Sequence, residues 1–227
     1  MLVKSERVST PKPDKPRRAY RSPLRAEQAQ QTRSRIVTAA TDLFVERGYG
    51  KTTLQAIADA AGVSVVSVQL NGPKGALLVA ALEQLATGGE GFESVTDIPE
   101  NADLVQQITS TEDLIHSTAQ YAAASNRRVT GLWLALDRAA DDDPDVAQTY
   151  QRMIDRMRTD YQKIFVGQLA TLGGARADRT RAELADICWA ILLPDLYHRL
   201  VNQAGWTIER YNEWLEQSLR ELLLDTH

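Results

Sequence analysis

Residues 55–78 read QAIADAAGVSVVSVQLNGPKGALL. The middle of this stretch has the grammar of a helix end, a tight turn and a new helix start. Gly62 can take the left-handed backbone that closes a helix. Ser64, two residues on, can cap the next one. Ala58, Ala60 and Ala61 are small enough for a second helix to cross closely, and Val63 can plug the turn into a core. Asn71-Gly72-Pro73 must end the second helix, because Pro73 cannot continue it and disfavours helical backbone at Gly72. Two readings fit: a helix-turn-helix that puts residues Ser64, Val65, Val66, Ser67 and Gln69 into a DNA groove, or a short buried helical hairpin.

The flanks extend the pattern. In QAQQTRSRIVTAATDLFVERGYG the apolar residues Ile36, Val37, Ala40, Leu43 and Phe44 recur at helical spacing, and Gly48 and Gly50 end that helix. Thr53 is placed to cap TTLQAIADAAG, with Leu54, Ile57 and Ala58 sharing a face. KGALLVAALEQLA forms a fourth helix closed by Gly88-Gly89.

These residues resemble the tetracycline-repressor-like (TetR) family of transcriptional regulators. The likeness lies in RIVTAATDLFVERGYGKTTLQAIADAAGVS and the following GPKGALL, about 45 residues from Arg35. It implies an all-α fold, with an N-terminal helix-turn-helix head and a larger helical body that binds a small molecule and dimerises. It also implies that Thr52 and Thr53 contact phosphate near a helix N-terminus, that residues 64–69 lie in the recognition helix, and that Lys74 meets the DNA backbone. The chain departs from the family pattern after Ser67. VQLNG stands where aromatic residues are usual, so a phosphate-touching tyrosine is missing. Gln69 is then a candidate for adenine, Asn71 for a phosphate, and Val65 and Val66 for thymine methyl groups.

Charge supports an anionic partner at the N-terminal end. The net charge is −4, yet residues 1–27 carry eight Lys/Arg against three Asp/Glu, and residues 88–227 carry 13 against 23. Residues 1–27 read as a disordered basic arm. Its Arg17, Arg18 and Arg21 are candidates for an adjacent minor groove, against the plainer reading of a solvated tail. A head over 28–89 and a body over 90–227 complete the expected division.

The body reads helical throughout. One helix is expected over 111–124, ending at Ser125-Asn126, and a second at VTGLWLALDRAA. Asp141, Asp142, Asp143 and Pro144 mark a helix start, with acids at the positive end of the helix dipole. A long stripe from Val146 to Leu169 ends at Gly173-Gly174, and Pro194 is expected to kink the next helix. About nine helices are expected in all. Tyr121, Trp133, Tyr150, Met153, Met157 and Trp189 suit either ordinary core or the walls of a pocket for an apolar effector. His116 is a pocket candidate or an exposed histidine. Trp189, Leu196, Leu200, Trp214, Leu215 and Leu222 lie on the last helices, whose family counterparts pair across a two-fold axis. A homodimer of that kind suits palindromic operator DNA.

Other classes find little support. No apolar run is long enough for a membrane span, and MLVKSERVSTPKPDKPRR has no secretory h-region. A single cysteine, Cys188, suits a reducing cytoplasm. Few soft ligands argue against a metal, and no cofactor or catalytic group is nominated. The expected partners are double-stranded operator DNA, a second copy of the chain and a small effector. A dimer with a degenerate head and an enzyme on a helical scaffold are the rival functions.

Overall fold

The computed structural model describes residues 23–88, 94, 96 and 99–225. Among these the secondary structure is helical, apart from one isolated bridge between Ala175 and Leu224. The helices are α1 (Pro23–Arg47), α2 (Leu54–Ala61), α3 (Val65–Leu70), α4 (Lys74–Thr87), α5 (Pro99–Gln107), α6 (Thr111–Asp142), α7 (Pro144–Asp160), α8 (Val166–Leu172), α9 (Arg181–Leu192), α10 (Pro194–Tyr197) and α11 (Ile208–Leu223). A π-helical turn, Tyr161–Phe165, joins α7 to α8, and another, His198–Gln203, follows α10.

The local signals hold. Thr53 accepts from the Ala56 N–H, Ser64 from Ser67, Asp143 from Asp145 and Val146, and Thr180 forms a reciprocal capping box with Glu183. Gly62 closes α2 at φ +65°, and Gly88 closes α4 at φ +81°.

Three boundaries differ from expectation. First, α1 begins at Pro23, so residues 23–27, expected in the disordered arm, are helical. Pro is well suited to a first helical position. Second, the break expected at Ser125-Asn126 does not occur, and α6 runs unbroken for 32 residues. Asn126 is buried and spends its amide sideways, donating to the Leu192 carbonyl at 2.9 Å and the Tyr211 hydroxyl at 3.3 Å. A tertiary partner removes the amide's competition with the helix backbone. Third, Pro194 ends a helix rather than kinking it. Leu193 is extended, and Pro194 starts α10.

Two apolar clusters fill the interior. The first joins Ile36, Phe44, Ile57, Val68 and Leu78 to Trp133, Leu136, Val146 and Met153, and so crosses the expected boundary between head and body. The second gathers Leu114, Phe165, Leu169, Cys188, Tyr211, Leu215 and Leu219. Helix α4 belongs to the first cluster along most of its length, with Leu77, Leu78, Ala81 and Leu82 buried.

Candidate DNA-binding head and ligand cavity

Helices α1 to α3 build the head. Ile57 and Ala58 of α2 and Val68 of α3 have no exposed surface, and Val63 packs against the same cluster, pinning the turn. Val66 (58% exposed) and Leu70 (84% exposed) project outward with Gln69. Large apolar side chains left in water on so short a helix imply a surface that is covered in use.

The remaining candidates sort by orientation. Thr53 is exposed, and its oxygen caps α2 while its O–H remains available. Thr52 corrects the expectation of a phosphate contact: it is 1% exposed and its hydroxyl donates inward to the carbonyls of Leu43 and Gly48. Val65 is half-buried against the core, which turns it from the bases. Ser67 is half-buried and shares a hydroxyl hydrogen bond with Ser64. Asn71 donates one amide N–H back to the Ser67 carbonyl, closing α3, so its side-chain oxygen and its second N–H remain for other use. Arg17, Arg18 and Arg21 lie outside the described residues.

Two positions escaped sequence reasoning. Arg33 on α1 donates to the Asn71 carbonyl at 2.9 Å, tying the end of α3 to the first helix. Tyr49 lies under Lys74, whose Nζ is 4.2 Å from the ring centroid. Burial holds the Lys74 ammonium below its ordinary pKa, and burial with the nearby Asp143 carboxylate raises that of Tyr49. The corner between α6 and α7 therefore sits against the foot of the head. It is packed without slack, since a Cβ on Gly75 would lie 2.1 Å from Val146 Cγ2.

A cavity of about 280 Å³ opens where the two apolar clusters meet. Of the pocket candidates, Tyr121, Trp133, Met153 and Met157 line it. Tyr150 and Trp189 do not. Tyr150 packs edge-on behind Trp133, with centroids 5.4 Å apart. Trp189 faces Arg158 instead, 5.8 Å from its ring, and its indole N–H is buried with no hydrogen-bond partner among the described residues. His116 is exposed and pairs with Glu216 at 2.9 Å, away from the cavity. Pro194 lines the wall, next to Asp195, which accepts from the Trp133 indole at 2.7 Å. The polar lining went unread in the sequence: Glu83, Arg156, Asp160 and Gln168 lie at the margins of apolar stripes.

On the last helices, Leu215 is wholly buried within its own chain, which removes it from the expected subunit interface. Leu222 is 38% exposed, and Trp214, Leu196 and Leu200 are half-buried.

Comparison with known proteins places this geometry. Residues 36–68, the end of α1 through most of α3, match the family described as bacterial regulatory proteins, tetR family. The likeness to the tetR family spans the helix-turn-helix of the head. The HTH-type transcriptional regulator CymR of Pseudomonas putida is 28% identical over 175 residues, covering 73% of this chain and 76% of that one. In structure, a transcriptional regulator from Saccharomonospora viridis in complex with choline superposes with a TM-score of 0.67 at 18% identity, over 87% of this chain and 100% of that one. The SmeT–triclosan complex of Stenotrophomonas maltophilia gives 0.60 at 18%, over 86% and 92%. These likenesses share the fold at low identity. No helix among the described residues is long and apolar enough to cross a membrane.

Proposed function

We propose that the protein is a homodimeric TetR-family repressor that releases operator DNA when a small molecule fills the cavity of its body. The outward face of α3 carries this reading. Val66, Gln69 and Leu70 are exposed on a helix whose opposite face is locked into the core. Val66 offers methyl groups to thymine and Gln69 a bidentate amide to adenine. Thr53 and Lys74 flank the helix as phosphate contacts, with the exposed N–H groups of α2 beside Thr53. Trp214, Leu222, Leu196 and Leu200 form the proposed subunit contact through the last helices, and two-fold pairing sets two recognition helices on a palindrome. The effector needs only to bind the DNA-incompetent arrangement more tightly to empty the operator. Structural neighbours crystallised with choline and with triclosan support a ligand in the body.

The test is fluorescence anisotropy on DNA from upstream of the protein's own gene and on scrambled DNA, over a salt series, followed by selection from random sequence. Saturable preference for one sequence, lost in Gln69→Ala, is expected. A selection that enriches nothing would leave a dimer whose head no longer reads DNA.

A further inference from the structure

Lys74 opens α4, and no acid shares its first turn. A cation there meets the positive pole of the helix dipole, so the helix itself does nothing to hold it. Asp143 is the acid at this corner, with Oδ2 3.8 Å from where a Cβ on Gly75 would sit. Its Oδ1 accepts from the N–H groups that start α7, and it forms no ion pair with Lys74 among the described residues. What meets the ammonium is a ring: Nζ stands 4.2 Å from the centroid of Tyr49. That ring is itself fixed. Gly48, at φ +80°, turns the chain off the end of α1, and the Tyr49 carbonyl accepts from the Thr52 N–H at 3.3 Å. The ring leans on the buried Phe44, with centroids 5.5 Å apart. The core thus reaches through Phe44 and Tyr49 to the ammonium of the half-buried Lys74.

Building on the phosphate contact proposed for Lys74, we infer that Tyr49 is a positioning residue for DNA binding: its ring holds the Lys74 ammonium at the start of α4, set to meet a backbone phosphate. A lysine side chain is long and flexible, and it loses that freedom when a phosphate holds it. A ring that has already fixed the ammonium moves part of this cost from binding to folding. The ammonium keeps N–H donors beyond the ring for a phosphate oxygen. A phosphate brings a full negative charge where the ring offers only a quadrupole, so the ring aims the cation without competing it away. The attraction is to the ring face and not to the hydroxyl. Phenylalanine at 49 therefore serves as well as tyrosine, whereas leucine fills the space and offers no face.

The experiment is fluorescence anisotropy of the full-length protein on selected and scrambled duplexes, with thermal melts to check folding. Tyr49→Phe should bind as wild type, and Tyr49→Leu about two- to fivefold more weakly. Should Tyr49→Leu misfold, Tyr49→trifluorophenylalanine and Tyr49→pentafluorophenylalanine keep the ring's shape while draining charge from its face. Their affinity should fall stepwise with fluorine content. In a Lys74→Met background, which keeps the stem and removes the ammonium, all the substitutions at 49 should bind alike. A role in packing alone would carry the Tyr49→Leu loss into that background and ignore the fluorines. The inference is overturned by either of those results, by leucine and fluorinated variants that bind as wild type, or by fluorination that tightens binding, which would make the ring a trap for the ammonium. A Lys74→Met loss with Tyr49→Leu unchanged sinks this inference alone. Ring effects that persist on DNA of any sequence, with no operator preferred, sink the repressor reading alone. If Lys74→Met binds as wild type, the phosphate contact and the inference fall together.

Discussion

Thr52 and Thr53 are neighbours of one chemistry with opposite duties. Thr52 faces inward and satisfies two carbonyls at the end of α1. Thr53 faces water and caps α2. Thr52→Val should therefore lower unfolding stability by about 1 kcal/mol, with no change in the salt slope of DNA binding. Thr53→Ala should cost a similar amount through the lost cap, and should weaken DNA binding as well, with the slope unchanged because a neutral hydroxyl displaces no counterion. Denaturant melts and anisotropy over a salt series read the two separately. For Lys74→Ala the expected loss is about one unit of that slope, uniformly across sequences. Cys188 tests the interior. Burial raises its thiol from an ordinary value near 9 to about 12. The proton is held more tightly in the folded state, so this group's contribution to stability is complete below pH 9 and is lost as pH rises from 9 toward 12. At pH 8 a disulfide reagent should label Cys188 only as fast as the chain opens. Rapid labelling of the native protein would show that the thiol is reachable.

At the scale of elements, the head was legible wherever structure is decided within a few residues. Thr53, Gly62, Ser64 and Gly88 act within one turn of their own positions, and each does what its chemistry suggests. The unbroken α6 was not legible, because the partners that hold Asn126 lie 66 and 85 residues away. The cavity was half-legible for a related reason. Helical periodicity identifies an apolar face but not which neighbour it meets, so Trp133 reached the cavity and Trp189 did not. The tight crossing of α4 and α7 was invisible too, since Gly75 sits early in a helix where nothing local demands glycine. Gly75→Ala should destabilise the fold by about 1–3 kcal/mol through overpacking. Val146→Ala should relieve much of that cost in the double variant. Strict additivity in thermal melts would deny the contact.

For the molecule as a whole, the apolar interior does not respect the division between a DNA-reading part and a ligand-holding part. Leu77 and Leu78 share their cluster with Trp133, Leu136 and Val146. A fragment ending at residue 88 exposes that seam, and should show little cooperative melting by circular dichroism where the whole chain melts in one step. A fragment that melted as sharply as the parent would make the head a self-sufficient unit.

The π turn at Tyr161–Phe165 has a last consequence, for how the cavity wall is retuned. Such a turn holds one residue more than the α-helix around it needs. Tyr161, Ile164 and Phe165, all within it, face the cavity. Deleting the exposed Gln162 would let α7 and α8 fuse into a regular helix, with the residues on either side keeping their faces because the turn already absorbs the extra residue. Helicity would survive, and only the side chains of the turn itself would meet the cavity differently. A one-codon deletion here thus reshapes one patch of the cavity wall and leaves the outward face of α3 untouched.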